Sequence, residues 1–228
     1  MKKTLMIICL MWVSCFGLDE NWWREIFQTD PSSEKLAIEI CLDDEMVLNE
    51  GTSFSCYDIA KVINDERKKF LIYERICDEF PFRDNYVCVL AADKNKNTEL
   101  AKKAYDSSKG GCFKRYEAMK DIIAKGNGRP SYLASYEGYI KWLGRELPID
   151  DGRSCENMVE FTSGKWSWFK QADYHKNKVY KEMACALDES YCKTYNLNAF
   201  GARIYKDFNL FKNFDKDVQN LKIQEGVQ

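Results

Sequence analysis

Apolar residues recur at steps of three and four positions along much of the chain, which is the spacing of an amphipathic helix. Cys112, Tyr116, Met119 and Ile123 fall on one helical face, while most charged residues of that segment lie elsewhere. Runs in which apolar and polar residues alternate, as they do in half-buried strands, are scarce. The pattern therefore predicts an all-α fold, a bundle of helices.

Local signals place several of these helices. Asp30 followed by Pro31 predicts a helix start, because an aspartate side chain caps free backbone N–H groups and proline suits the first turn. The segment Cys56–Phe70 is predicted as one helix, and Val179–Leu187 as another. Residues Lys109–Gly111 are predicted to form a loop before the next helix begins.

The chain has 228 residues, which suits one large domain or two small ones. The segment Gly144–Ser154 contains a proline, acidic residues and a glycine but no apolar periodicity, and we interpret it as a domain boundary. This divides the chain into an N-terminal helical ligand-binding domain, residues 18–144, and a shorter C-terminal helical domain, residues 155–228. The polar tail from Lys216 is predicted to fray.

The N-terminal segment, residues 1–17, has the features of a secretory signal peptide. Lys2 and Lys3 form a positively charged start, Leu5–Val13 is a short apolar core, and small residues follow it. The alternative, an N-terminal membrane anchor, is disfavoured because the apolar run is too short to cross a bilayer of about 30 Å. The sequence therefore predicts a secreted, extracellular protein.

Cysteine content agrees with an oxidising compartment. The chain has ten cysteines, of which Cys9 and Cys15 lie in the predicted leader. An even number of remaining cysteines in a secreted chain predicts four disulfides, although the spacing does not define which cysteines pair. The predicted disulfide cysteines are Cys41, Cys56, Cys77, Cys88, Cys112, Cys155, Cys185 and Cys192.

The net charge of the chain and the motifs that it lacks argue against several classes of function. The net charge is −2, and loss of Lys2 and Lys3 with the leader makes it more negative, so we expect neither a nucleic-acid partner nor a membrane surface. His175 is the one histidine, and a surface position in a charged segment is favoured over a catalytic or metal-binding role. The sequence contains no Gly-x-Ser-x-Gly or Cys-x-x-Cys motif. We therefore expect no catalytic site, no metal and no cofactor.

Aromatic residues are abundant, with 13 Tyr, 13 Phe and 6 Trp. A helical domain lined by tyrosine and tryptophan can enclose an apolar ligand, and their phenol and indole groups orient it by hydrogen bonds. For any single aromatic residue, ordinary core packing is the alternative. The candidate ligand-binding residues are Trp23, Tyr57, Phe70, Tyr73, Tyr132, Tyr136 and Trp142.

Cysteine and aromatic positions follow a characteristic order in the second half of the chain. Cys112 is followed by Tyr116, then by the segment Tyr132–Gly138, by Trp142 and by a charged linker to Cys155. This stretch resembles the D-seven salivary proteins of blood-feeding flies, which are distant relatives of insect odorant-binding proteins.

Two further segments carry the same resemblance. Cys56-Tyr57 resembles the start of the family's central helix, and Val179 to Phe208 resembles its closing helices. The family usually has a second cysteine four residues into that central helix, where this chain has Ala60. Residues 155–228 are also short for a complete second domain of the family.

The resemblance implies one or two odorant-binding-protein-like domains stapled by disulfides. It also implies a salivary protein that limits haemostasis or inflammation by sequestering host mediators, either biogenic amines or eicosanoid lipids such as cysteinyl leukotrienes and thromboxane-like molecules.

Two hypotheses from different classes follow. The first is a non-catalytic carrier or scavenger of a small amphipathic ligand. The second is a secreted effector that binds a host extracellular protein, with Trp166-Ser167-Trp168-Phe169 as an exposed binding patch. An enzyme would require His175 to lie in a cleft beside a carboxylate or a nucleophile.

Overall fold

The computed structural model describes residues 20–45, 50–79, 85–125, 152–197 and 211–227. These residues form a disulfide-stapled helical bundle with no strand among them, so the predicted fold class is confirmed. The predicted leader and the candidate residues Tyr132, Tyr136 and Trp142 lie outside the described residues. No described helix is both long and apolar enough to cross a membrane.

The described residues form helices over most of their length. They are α1 (Glu20–Thr29), α2 (Pro31–Cys41), α3 (Glu50–Val62), α4 (Glu66–Glu79), α5 (Asn85–Asn95), α6 (Thr98–Lys125), α7 (Arg153–Thr162), α8 (Tyr174–Leu187), α9 (Glu189–Thr194) and α10 (Phe211–Glu225).

Two compact units make up the chain, Met1–Ala101 and Lys102–Gln228. The division falls inside α6, so the first turn of that helix belongs to the first unit. The predicted boundary at Gly144–Ser154 lies almost entirely outside the described residues and stays a prediction.

In the first unit, disulfides join consecutive helices. Cys41–Cys56 connects α2 to α3, and Cys77–Cys88 connects α4 to α5. These cysteines are 1% exposed or less. The bridges therefore lie within the apolar core of the unit.

Capping aspartates begin two helices of the first unit. The Asp30 side chain accepts a hydrogen bond from the backbone N–H of Ser32 at the start of α2, as the sequence predicts. The Asp65 side chain accepts one from the N–H of Lys68 and begins α4. The prediction of one helix over Cys56–Phe70 is therefore wrong, because Asp65 favours a new helix start.

In the second unit, α6 runs without a break through two adjacent glycines, so the predicted loop at Lys109–Gly111 is wrong. A Cβ at Gly111 would lie 2.7 Å from Oγ of Ser154 on α7. Next to this contact, the disulfide Cys112–Cys155 joins α6 to α7 with Cα atoms 4.7 Å apart. Gly111 is thus explained by a close approach of two helices and not by a turn.

The helix α8 begins earlier than the predicted Val179. The Asp173 side chain accepts hydrogen bonds from the backbone N–H groups of His175 and Lys176, which fixes the first turn. The helix packs against α7, and Cys185–Cys192 joins its end to α9.

The C-terminal segment forms α10, so the predicted fraying from Lys216 is wrong. Phe214, Val218 and Leu221 recur at steps of four and three residues and are 5%, 0% and 1% exposed. This apolar stripe holds α10 against the second unit although the composition of the segment is polar.

Alanine at the two adjacent glycines of α6 should have opposite effects on the free energy of unfolding. Gly110→Ala should stabilise by about 0.5–1 kcal/mol, because alanine loses less backbone entropy in a helix and its Cβ would meet no atom within 4 Å. Gly111→Ala should destabilise by about 1–3 kcal/mol, since its Cβ would displace the buried Ser154. Chemical denaturation measures both changes, and equal stabilities of the two variants would contradict the close approach.

Removing either disulfide of the second unit should lower the free energy of unfolding, and the two losses should differ. Cys112 and Cys155 are 43 residues apart, whereas Cys185 and Cys192 are 7 apart. A disulfide stabilises the fold by restricting the unfolded chain, and more so when it closes a longer loop. Replacing Cys112 and Cys155 by alanine should therefore lower the free energy of unfolding by about 4 kcal/mol, and replacing Cys185 and Cys192 by about 2 kcal/mol. All four cysteines are 2% exposed or less, so the two variants are matched in burial. Urea denaturation measures the losses, and a larger loss at the short loop would contradict this explanation.

Candidate functional site

The first unit brings together three of the predicted ligand-binding residues. The centroid of the Tyr73 ring lies 5.8 Å from that of Tyr57 and 6.0 Å from that of Phe70. Tyr73 is buried, while Tyr57 and Phe70 are half-buried. The three rings therefore form one contact group, contributed by α3 and α4.

Trp23 on α1 is 1% exposed, and its ring contacts Trp22 at 4.8 Å and Phe27 at 5.8 Å. Its indole Nε1 is buried and has no hydrogen-bond partner among the described residues. The first unit thus contains an unused hydrogen-bond donor inside an aromatic environment.

A larger group of rings lies in the second unit, and none of them is among the predicted ligand-binding residues, although three belong to the patch predicted for a protein partner. The ring centroid of Phe161 is 5.4 Å from that of Tyr105, 4.9 Å from that of Trp166 and 5.6 Å from that of Phe169. Trp168 stacks on Trp166 at 5.4 Å. These five residues are named the aromatic cluster below.

The aromatic cluster is mostly buried. Trp166 is 3% exposed and Phe169 is 7% exposed. Two of the three aromatic residues in the proposed surface patch therefore point inward. Trp168 is half-buried, and the role of the patch in binding a protein partner stays a prediction.

Tyr105 connects the aromatic cluster to a buried carboxylate. Its hydroxyl donates a hydrogen bond of 2.7 Å to Oε2 of Glu225, whose side chain is 4% exposed. Nζ of Lys176 lies 2.6 Å from Oε1, and Nζ of Lys109 lies 4.0 Å from Oε2. These four residues are named the carboxylate centre. Its two ammonium groups compensate a charge that would be unfavourable if buried alone.

One buried oxygen of the carboxylate centre and one buried hydroxyl outside it lack hydrogen bonds from the described residues. Lys176 supplies charge to Oε1 of Glu225 through an ion pair that departs from hydrogen-bond geometry. The hydroxyl of Tyr180, a residue that is 0% exposed, has no partner. Burial, and then the charge of Glu225, raise the pKa of Tyr180, so this hydroxyl lies within electrostatic range of the centre.

The indole Nε1 of Trp166 in the aromatic cluster is also buried and without a partner in the described part of the chain. A buried donor that makes no hydrogen bond costs about 1–3 kcal/mol. Trp166 and Tyr180 therefore offer two donors to any acceptor that enters the second unit.

Tyrosine–carboxylate contacts recur elsewhere in this unit. The hydroxyl of Tyr116 donates to Asp215 at 3.2 Å, and that of Tyr191 donates to Glu156 at 2.7 Å. Burial raises the pKa of both tyrosines and of Tyr105, and the neighbouring carboxylates raise it further because they repel tyrosinate. The phenols therefore remain protonated donors far above neutral pH.

His175 is exposed at the start of α8, and its backbone N–H donates to Asp173. The described residues contain no group of His, Cys, Asp or Glu side chains that could hold a metal ion. The absence of an enzymatic activity stays a prediction.

One sequence signal could have identified the carboxylate centre. Glu225 follows Leu221 by four residues and thus continues the apolar stripe of α10. A carboxylate in register with a buried stripe needs a partner. Those partners come from α6 and α8, and no local pattern connects these helices to α10.

Alkaline pH should ionise the buried tyrosines only when the second unit unfolds. Because their pKa values in the folded state are raised above the unfolded value of about 10, their contribution to stability is complete below pH ~10 and is lost as the pH rises. Tyrosinate absorbance should therefore increase together with the loss of helical circular dichroism. The contradicting result would be a folded chain in which all 13 tyrosines ionise at the same pH as in the urea-unfolded chain, while the helical circular dichroism is retained.

Comparison with protein-family models, with curated proteins and with solved structures found no match. The resemblance to the D-seven salivary proteins therefore remains a hypothesis based on the motifs in this sequence.

Proposed function

We propose that the protein is a secreted, non-catalytic binding protein that sequesters a small amphipathic host mediator, either an eicosanoid lipid or a biogenic amine. The observation that carries this proposal is the Tyr180 hydroxyl, which belongs to a fully buried residue within electrostatic range of Glu225 and has no hydrogen-bond partner in the described residues. A bound ligand with a polar acceptor would satisfy it.

Tyr105 gives the proposed site two chemically different sides. Its hydroxyl faces Glu225, and its ring contacts Phe161 and Phe169. The aromatic cluster suits an apolar tail, and the polar side suits a head group that needs a few directed hydrogen bonds. This combination supports an amphipathic ligand over a wholly apolar or wholly polar one.

A scavenger acts by stoichiometry and not by turnover, so it needs a rigid site and tight binding. The four disulfides within the described helices restrict the chain and suit an oxidising extracellular compartment. The salivary origin and the effect on host haemostasis or inflammation rest on the resemblance to the D-seven proteins.

Tyr180→Phe should raise stability and lower ligand affinity at the same time. Removal of a buried hydroxyl without a partner should stabilise the fold by about 1 kcal/mol, and loss of one hydrogen bond to the ligand should weaken binding by about tenfold. Chemical denaturation measures the first change. Isothermal titration against a panel of eicosanoids, biogenic amines and nucleotides measures the second.

Tyr174→Phe is the matched control, because Tyr174 lies on the same helix and is 89% exposed. It should change neither stability nor affinity. Unchanged affinity of Tyr180→Phe for a ligand that the natural chain binds, or no heat from any compound of the panel, would contradict the proposal.

A further inference from the structure

The carboxylate centre is arranged around a carboxylate. Nζ of Lys176 lies 2.6 Å from Glu225, and the Tyr105 hydroxyl donates a directed hydrogen bond to it. Lys109 lies 4.0 Å from Glu225 but is also paired with Asp106 at 3.2 Å. An ammonium and a phenol on one carboxylate are typical of carboxylate recognition, whereas an ammonium head group in the place of Glu225 would meet the like charge of Lys176.

Glu225 fits this site imperfectly. The 2.6 Å contact of its Oε1 with Nζ of Lys176 is an ion pair that departs from hydrogen-bond geometry. Glu225 is also the last residue of α10, where the helix dipole disfavours a negative charge. Glu225 is therefore held mainly by charge compensation, because neither its hydrogen bonding nor its position in the helix is optimal.

The last turn of α10 has few apolar contacts to hold it. Leu221 is the final buried apolar residue of the stripe, whereas Ile223 in the last turn is 77% exposed. Beyond Leu221, the contacts are polar: Lys222 with Glu117 at 3.5 Å, and Glu225 with the centre. This turn can open without exposing the buried stripe formed by Phe214, Val218 and Leu221.

We infer that the carboxylate centre is a binding site for the head group of a long-chain monocarboxylate, and that Glu225 occupies it in the free protein. The ligand carboxylate displaces Glu225 from Tyr105 and Lys176, the last turn of α10 opens, and the apolar tail enters the aromatic cluster. The inference rests on the proposed function and specifies its ligand class as an anionic lipid.

Neutralising the internal competitor tests this directly. Glu225→Gln keeps the side-chain size but removes its charge, so oleate below its micelle concentration should bind at least about tenfold more tightly than it binds the natural chain, since a larger fraction of the site is free. Methyl oleate, which lacks the charge, should bind equally to both. Asp217→Asn is the control, because it removes a carboxylate from the same helix outside the centre.

Lys176→Met should weaken oleate binding by about tenfold and leave methyl oleate unchanged. This variant separates head-group recognition from general loosening of α10. If Glu225→Gln instead raised the affinities for oleate and for methyl oleate equally, loosening of the last turn of α10 would explain the result and the inference would be overturned.

Hydrogen exchange of the natural chain provides a test without substitutions. Oleate should accelerate exchange of the last turn of α10 while the amides of α7 remain protected. Slower exchange at the last turn with oleate bound would overturn the displacement of Glu225.

Failure of this inference differs from failure of the proposed function. If oleate bound the natural chain, Glu225→Gln and Asp217→Asn with one affinity, only the inference would be overturned. If neither fatty compounds nor amines bound any of these proteins, the proposed function would fail as well.

Discussion

The second unit depends on a close approach between α6 and α7. Gly111 lacks the Cβ that would collide with Ser154, and the adjacent Cys112–Cys155 disulfide fixes the two helices at that point. The same pairing brings Tyr105 of α6 against Phe161 of α7 at 5.4 Å. A backbone constraint therefore positions the residue that joins the apolar and polar sides of the proposed site.

The interior of this unit combines dense aromatic packing with incomplete hydrogen bonding. Most buried polar groups in proteins are satisfied, yet Trp166 Nε1 and Tyr180 OH make no hydrogen bond within the described residues. Such groups lower stability and are explained if a ligand meets them. The buried Glu225 carboxylate, held by Lys176 and Tyr105, is the reason for proposing an anionic ligand at this place.

Local patterns in the sequence were sufficient for the fold class and for the Asp30 cap, since both depend on neighbouring residues. Gly110-Gly111 was misinterpreted because glycine marks both turns and close helix packing, and only tertiary structure separates the two. Spacing on one helix also favours the contact of Phe70 with Tyr73. The carboxylate centre could not be predicted, because Tyr105, Lys176 and Glu225 come from three helices far apart in the chain.

The central claim is that the oxidised protein holds one small amphipathic molecule without changing it. Native mass spectrometry of the disulfide-intact chain, mixed with anionic lipids and biogenic amines and followed by release and identification of the bound compound, tests this most directly. The account predicts a complex of one ligand per chain, from which the ligand is recovered chemically intact. A converted product, or the absence of any complex, would contradict it.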